Sequence, residues 1–205
     1  MITKTCGAIT LLILLQAGVL LAQPVRAEDD AGQGSVLSYT CMGCHGIEGY
    51  RNAYPSYRVP RLGGQKSAYI KSALIAYRNG DRPHRTMQAQ GGSLSDEDID
   101  QLATWFESTG AASDDVEADD VAGFAAAQVC VTCHGVAGAA MTPESPVLSG
   151  QQEDYLVHAL RQYKDGKRTG NVMAAFAAGL SDADIATIAS FYASRDGVIT
   201  PGKDR

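Results

Sequence analysis

Apolar positions along the chain fall into one helical pattern that appears twice. Over residues 65–79, apolar and aromatic side chains recur at Ala68, Tyr69, Ala73, Leu74 and Tyr77, and Gly80 supplies the stop; residues 151–165 repeat the pattern and stop at Gly166. A second face follows at Ile99, Leu102, Ala103 and Phe106, matched by Ile185, Ile188, Ala189 and Tyr192. Each of these later helices is announced by Ser-x-x-Asp, at Ser95 and at Ser181, where the hydroxyl caps the helix and the acids suit its positive end. A further helix is predicted over about 32–40 and again over about 121–129. Alternating or β-branched runs bounded by turns are scarce, so the fold class predicted is all-α.

The duplication is literal. A shift of 86 places lays Pro60-x-Leu62-x-Gly64-Gln65 on Pro146-x-Leu148-x-Gly150-Gln151 and continues without a gap to Ser108 and Ser194. Nineteen of these 49 positions are identical, where unrelated sequences of ordinary composition would give about three. Upstream the shift becomes 89 and aligns Cys41-x-x-Cys44-His45-Gly46-x-x-Gly49 with Cys130-x-x-Cys133-His134-Gly135-x-x-Gly138, so the first unit holds three extra residues before Pro60. Residues 109–120 carry five acids and no base, the composition of a solvated linker. The organisation predicted is a first domain over 28–108, this linker over 109–120 and a second domain over 121–205.

Residues 1–27 stand apart. Lys4 precedes an apolar run over 7–22, and Val25 and Ala27 are small residues at −3 and −1 of a cut after Ala27. A run of 16 residues falls short of the roughly 20 that span a bilayer, so the segment reads as a secretory signal peptide, with an uncleaved anchor and membrane association as the rival reading. Cys6 goes with the leader. The formal charge of −6 becomes −8 once Lys4 and Arg26 are removed, which argues against nucleic-acid binding, since a phosphate backbone requires a basic footprint.

In an exported chain, paired cysteines are by default disulfides, but here Cys41/Cys44 and Cys130/Cys133 cluster, each pair followed at once by histidine. Cys-x-x-Cys-His is the pattern of covalent haem attachment, because thiols at i and i+3 of a helical turn reach two vinyl groups while the histidine faces the iron. A thioredoxin-like dithiol would require a βαβ setting, and a zinc half-site would require a second converging pair. Two copies at the head of two helical repeats predict two covalently bound haem c groups. A methionine on the far side would make each an electron-transfer centre of raised potential. Of five methionines only Met87 and Met173 occupy equivalent positions, each about 40 residues past its histidine in a polar segment that reads as a loop; ordinary core packing is the alternative.

These motifs in combination, Cys-x-x-Cys-His-Gly, Pro-x-Leu-x-Gly-Gln, a methionine and Leu-Ser-Asp-x-Asp-Ile, resemble the dihaem cytochromes c of the cytochrome c4 family, two class I cytochrome c domains in tandem. The resemblance covers about 30–194. It implies His45/Met87 and His134/Met173 as axial pairs on the irons, and carbonyls near Pro60 and Pro146 that orient the two histidines. It further implies a periplasmic electron carrier and not an enzyme, receiving electrons from a quinol-oxidising complex or a dehydrogenase and passing them to a terminal oxidase. The alternatives are a haem enzyme, such as a dihaem peroxidase or a thiosulfate-oxidising cytochrome, or the electron-transfer subunit of a larger dehydrogenase. The one departure from a regular pattern is the Tyr- and Arg-rich stretch over 50–61.

Other side chains take plainer expectations. His84, opposite Gly170 in the repeat, reads as a solvent-facing loop residue with a ligand role as the alternative, and His158, opposite Ser72, as surface polarity. Tyr77/Tyr163 and Trp105/Phe191 read as haem packing. Residues 50–85 hold eight bases, Arg51, Arg58, Arg61, Lys66, Lys71, Arg78, Arg82 and Arg85, against the single acid Asp81. Balancing haem propionates and forming a solvated face are the plain readings of this charge; the functional expectation is a face beside the first haem that steers an acidic redox partner.

Overall fold

A computed structural model describes residues 27–110 and 127–202. The expected leader through residue 26, the linker from residue 111 and the start of the second unit through residue 126 lie outside the described residues. Among the described residues there are nine helices and no strand beyond two isolated antiparallel bridges, Arg51 with Arg58 and Gly63 with Ile199. None of these helices is long and apolar enough to cross a membrane.

The first domain comprises α1 (Ala27–Leu37), α2 (Tyr39–His45), α3 (Ser67–Asn79), α4 (Arg85–Gly92) and α5 (Asp96–Ser108); the second comprises α6 (Gln128–His134), α7 (Glu153–Lys164), α8 (Met173–Ala177) and α9 (Asp182–Ala193). The predicted starts of the last helices hold in detail. Ser95 and Ser181 each accept from the backbone N–H three residues on, and Asp98 and Asp184 reach back to complete a capping box. At the other end of α3, Gly80 takes φ +87, a left-handed conformation that costs glycine nothing.

Two expectations about elements are corrected. The predicted first helix breaks at Ser38, and the cysteines lie inside the short helix that follows and not beyond its end. The segments of Met87 and Met173 are short helices, α4 and α8, and not loops. At eight and five residues they are too short to show a period in sequence.

Each domain closes on its own core. Ile70, Leu102, Ala103, Trp105 and Phe106 cluster in the first, with Leu37, Cys41, Met42 and Leu62 packed against them; Leu156, Ile188, Ala189 and Tyr192 form the counterpart in the second. Ile99 and Ile185 are 0% exposed, burial worth roughly 1.5–3 kcal/mol for each side chain. In the first domain α1 crosses α5 so closely at Gly34 that a Cβ there would run into the Gln101 carbonyl and the Trp105 side chain. This crossing ties the segment leading to the cysteines to the last helix.

The two domains are joined by polar contacts of near-twofold symmetry. The buried Gln65 side chain donates to the Val147 carbonyl at 3.0 Å and accepts from the Val147 N–H at 2.8 Å, and Gln151 makes the same pair with Arg61 at 3.0 and 2.8 Å. Asymmetric contacts add to these. Asp154 on α7 takes the Arg51 and Arg58 guanidiniums, each at 3.1 Å, together with the Arg58 N–H. The chain end returns to the first domain, where Ile199 pairs with Gly63 through two backbone hydrogen bonds of 3.0 Å and the Thr200 hydroxyl donates to Glu48.

This interface corrects the expectation of an open basic docking face. Arg51 and Arg58 reach across to Asp154, Arg61 binds the Gly150 carbonyl and Glu48, Lys71 and Arg78 pair with Asp100 and Asp96, and Arg82 is buried. The excess of positive charge is real in sequence, but most of it is directed at carboxylates and carbonyls of the same chain. His158 is corrected too: its ring stacks on Tyr57 at 4.2 Å between centroids, across the domain boundary, and does not serve a free surface.

Candidate functional site

Each Cys-x-x-Cys-His occupies a seven-residue helix. Cys41 and Cys44 on α2, and Cys130 and Cys133 on α6, stand one turn apart, and all four are free thiols. Burial pushes the Cys41 and Cys130 thiols up from their ordinary value, so these are uncharged sulfurs and not exposed redox thiolates.

The histidines end the two helices, and each is tied to a distant carbonyl. His45 Nδ1 lies 2.8 Å from the Pro60 carbonyl and His134 Nδ1 lies 3.1 Å from that of Pro146. A carbonyl oxygen only accepts, so each Nδ1 carries the proton and each Nε2 keeps its lone pair. Burial lowers both histidines, opposed in each case by the proline carbonyl, and His84 adds a smaller push in the same direction on His45. The outcome is a neutral imidazole in one tautomer with the lone pair of Nε2 available, the state in which histidine binds a metal.

Met87 and Met173 are half-buried in the first turns of α4 and α8, which pack on α3 and α7. The other described methionines are placed differently. Met42 joins the core of the first domain and Met141 is 67% exposed in the turn after His134. His84 is half-buried as the N-cap of α4, with Nδ1 accepting from the Met87 N–H and its ring edge-on to Tyr77, which corrects its reading as a solvent-facing loop residue.

Between the domains lies a cluster that sequence spacing does not reveal as a unit. Arg82 and Arg168, equivalent under the repeat, are 4% and 3% exposed. Arg82 donates to the Tyr69 and Tyr155 hydroxyls at 3.1 and 3.2 Å and lies over the Tyr77 ring, while Arg168 lies over the Tyr155 and Tyr163 rings and donates to Gln162. Burial raises the Tyr69 and Tyr77 phenols; at Tyr155 burial is outweighed by Arg168 and Arg82, which lower it to about 8. The signal in the sequence was the shared Tyr-x7-Tyr-x4-Arg spacing, but only the meeting of the two copies makes it a site. The packing role expected of Tyr77 and Tyr163 is thereby joined to two buried cations.

These features fit a covalently held, anionic cofactor. The donor set is a thiol pair and a neutral histidine in each domain. Among the described residues neither Arg82 nor Arg168 has a carboxylate within ion-pair distance, and Arg82 Nε is buried without a partner. A buried guanidinium without a counter-ion is costly, and an acidic group lodged beside it would remove that cost.

Comparison with known proteins gives a consistent picture. Residues 27–106 and 117–191 each match the family described as cytochrome C oxidase, cbb3-type, subunit III. Cytochrome c4 of Azotobacter vinelandii is 31% identical over 203 residues, which span 87% of this chain and 94% of that protein. A thiosulfate dehydrogenase electron acceptor of Stutzerimonas stutzeri is 28% identical over 204 residues, 92% of each chain. Among solved structures, that of Acidithiobacillus ferrooxidans cytochrome c4 superposes with a TM-score of 0.63 at 28% identity, over 77% of this chain and 99% of that one.

Proposed function

We propose, from the premise that this chain belongs to the cytochrome c4 family of tandem c-type cytochromes, that it carries two covalently bound haem c groups and shuttles electrons in the periplasm. Cys41 and Cys44 hold one haem and Cys130 and Cys133 the other; His45 with Met87, and His134 with Met173, are the axial pairs. The haem iron supplies the one-electron couple. The protein's own residues fix the imidazoles, keep water from the pocket and compensate the propionates through Arg82 and Arg168. The observation that carries this reading is the repeated geometry of a Cys-x-x-Cys-His helix whose histidine donates Nδ1–H to a proline carbonyl, present in both domains.

The donor is a quinol-oxidising complex or a periplasmic dehydrogenase and the acceptor a terminal oxidase. A dehydrogenase as donor is supported by the relative named for accepting electrons from thiosulfate dehydrogenase. Mass spectrometry of the exported protein tests attachment: two haem masses are expected, and one after Cys41 and Cys44 are both replaced by serine. Two haem masses surviving that change, or none in the unaltered protein, would sink the two-site assignment. Co-purification with a flavin or quinone subunit at fixed stoichiometry would mark the protein as a bound subunit and not a free carrier.

A further inference from the structure

The peptide group joining Pro60 to Arg61 is used from both sides. Its carbonyl accepts from His45 Nδ1 at 2.8 Å, and its N–H donates to Gln151 Oε1 at 2.8 Å, across the domain boundary. The peptide joining Pro146 to Val147 repeats the arrangement, with His134 Nδ1 at 3.1 Å on the carbonyl and Gln65 Oε1 at 2.8 Å on the N–H. Both glutamines are buried, 2% and 5% exposed, and each is held flat by a second bond from its Nε2 to the next carbonyl. Sequence places Gln65 and Gln151 in the Pro-x-Leu-x-Gly-Gln motif, but each acts on the other domain's copy of that motif and not on its own.

A peptide is polarised as one unit. An acceptor on its N–H makes its carbonyl oxygen more negative, and successive hydrogen bonds in a low-dielectric interior strengthen one another by roughly 10–30% each. A stronger bond at Nδ1–H leaves the imidazole a better electron donor at Nε2. The geometry assigns to Gln151 and Gln65 the role of cross-domain positioning residues: through one shared peptide each sets the orientation and donor strength of the histidine in the opposite domain. This rests on the haem reading given above. Its consequence is that each iron's electronic environment depends on the domains being docked, since a glutamine lost from the interface weakens the hydrogen bond of its partner's ligand.

The test uses the full-length, haem-loaded protein with Gln151→Met, Gln65→Met and Gln151→Glu. Both reduction potentials are followed by NMR signals assigned to each haem. Gln151→Met removes the acceptor and is expected to raise the potential of the haem on Cys41 and Cys44 by a two- to threefold change in its reduction equilibrium, roughly 20–30 mV at 59 mV per tenfold for one electron. The other potential stays in place, and Gln65→Met gives the mirror result. Gln151→Glu keeps an oxygen on the Arg61 N–H and is expected to hold the first potential at or below its native value. Amide exchange in the unaltered protein is expected to show both Arg61 and Val147 protected, a check that survives a variant that fails to fold. Gln151→Met shifting its own domain's haem, both haems equally or neither would overturn the assignment, as would rapid exchange at both amides. Absence of haem from the unaltered protein would instead defeat the haem reading itself.

Discussion

The two domains meet one requirement with different residues. The methionine in the first turn of α4 or α8 has a backbone N–H that no carbonyl of its own helix can accept. The first domain supplies His84 Nδ1 and the second supplies Asn171 Oδ1, at 3.2 and 2.9 Å. In the repeat His84 lies opposite Gly170 and Asn171 opposite Arg85, so the acceptor has moved by one residue. His84 is extended at φ −157, while Gly170 turns at φ +76. The loops before the prolines diverge more. That of the first domain is three residues longer and carries Arg51 and Arg58 onto α7, whereas the Asp154 that receives them has only Ala68 as its counterpart. What acts on the histidines, the cysteine helix, the proline carbonyl and the glutamine, stays in register between the copies. What closes a helix end or docks the domains varies.

The sharpest way to break this equivalence is at the methionines. Met87→Ala and Met173→Ala should each remove about half of the weak long-wavelength thioether-to-iron absorption and lower one of the two potentials, since loss of a thioether ligand favours the oxidised iron. If Met87→Ala left the band intact and His84→Ala moved the first domain's potential instead, the first domain would be using its cap as ligand and the two sites would be of different kinds. The cores come next. Ile99→Ala and Ile185→Ala each leave a void at a site that is 0% exposed, and should cost about 2–5 kcal/mol in urea unfolding. Similar costs are expected for the pair; unfolding of one domain alone by its own variant would show that the cores are thermodynamically separate.

The asymmetric side of the comparison is tested at Asp154. Asp154→Ala strips one carboxylate from two guanidiniums and from the Arg58 N–H, at a site that is partly exposed, and should cost about 1–2 kcal/mol of interdomain stability. A double-mutant cycle with Arg58→Ala measures the coupling directly. Additive effects would mean that the extended loop is held by something other than this ion pair.

Helices α3, α5, α7 and α9 were legible because each shows several turns of one apolar face, with a serine cap or a glycine stop in plain view. The candidate haem-attachment residues stand out in sequence because their chemistry is local: Cys41, Cys44 and His45 lie within five residues. The interface was not legible, because its partners are 73 to 152 residues apart and their meaning depends on how two copies of one fold face each other. Arg51 and Arg58 look like solvated charge until Asp154 is placed beside them. Gln65 and Gln151 look like motif residues of their own domains until each is seen on the other's backbone. The return of Ile199 to Gly63 left no trace in composition or period, since two backbone groups make the contact and no side chain is required.

The smallest effect expected distinguishes the domains by pH alone. His158 occupies the position of Ser72 in the first domain, so at this position the second copy alone carries a histidine, stacked across the interface. Burial lowers it to about 4, with Arg168, His84 and Lys167 adding to the shift, against an ordinary value of 6.5. A histidine lowered on folding is fully compatible with the native interface above 6.5. As pH falls below 6.5 the unfolded chain takes up a proton that the folded one refuses, so stability is lost progressively down to about 4 and no further below it. The capping carboxylates Asp98 and Asp184, lowered from 3.8 by their serine hydrogen bonds, act only in the more acid range beneath that window. Urea midpoints at pH 7, 5.5 and 4.5 should therefore decline in the native protein and decline less in His158→Gln, which still covers Tyr57 but does not titrate. Parallel declines in the two proteins would place the proton elsewhere and leave His158 as packing alone.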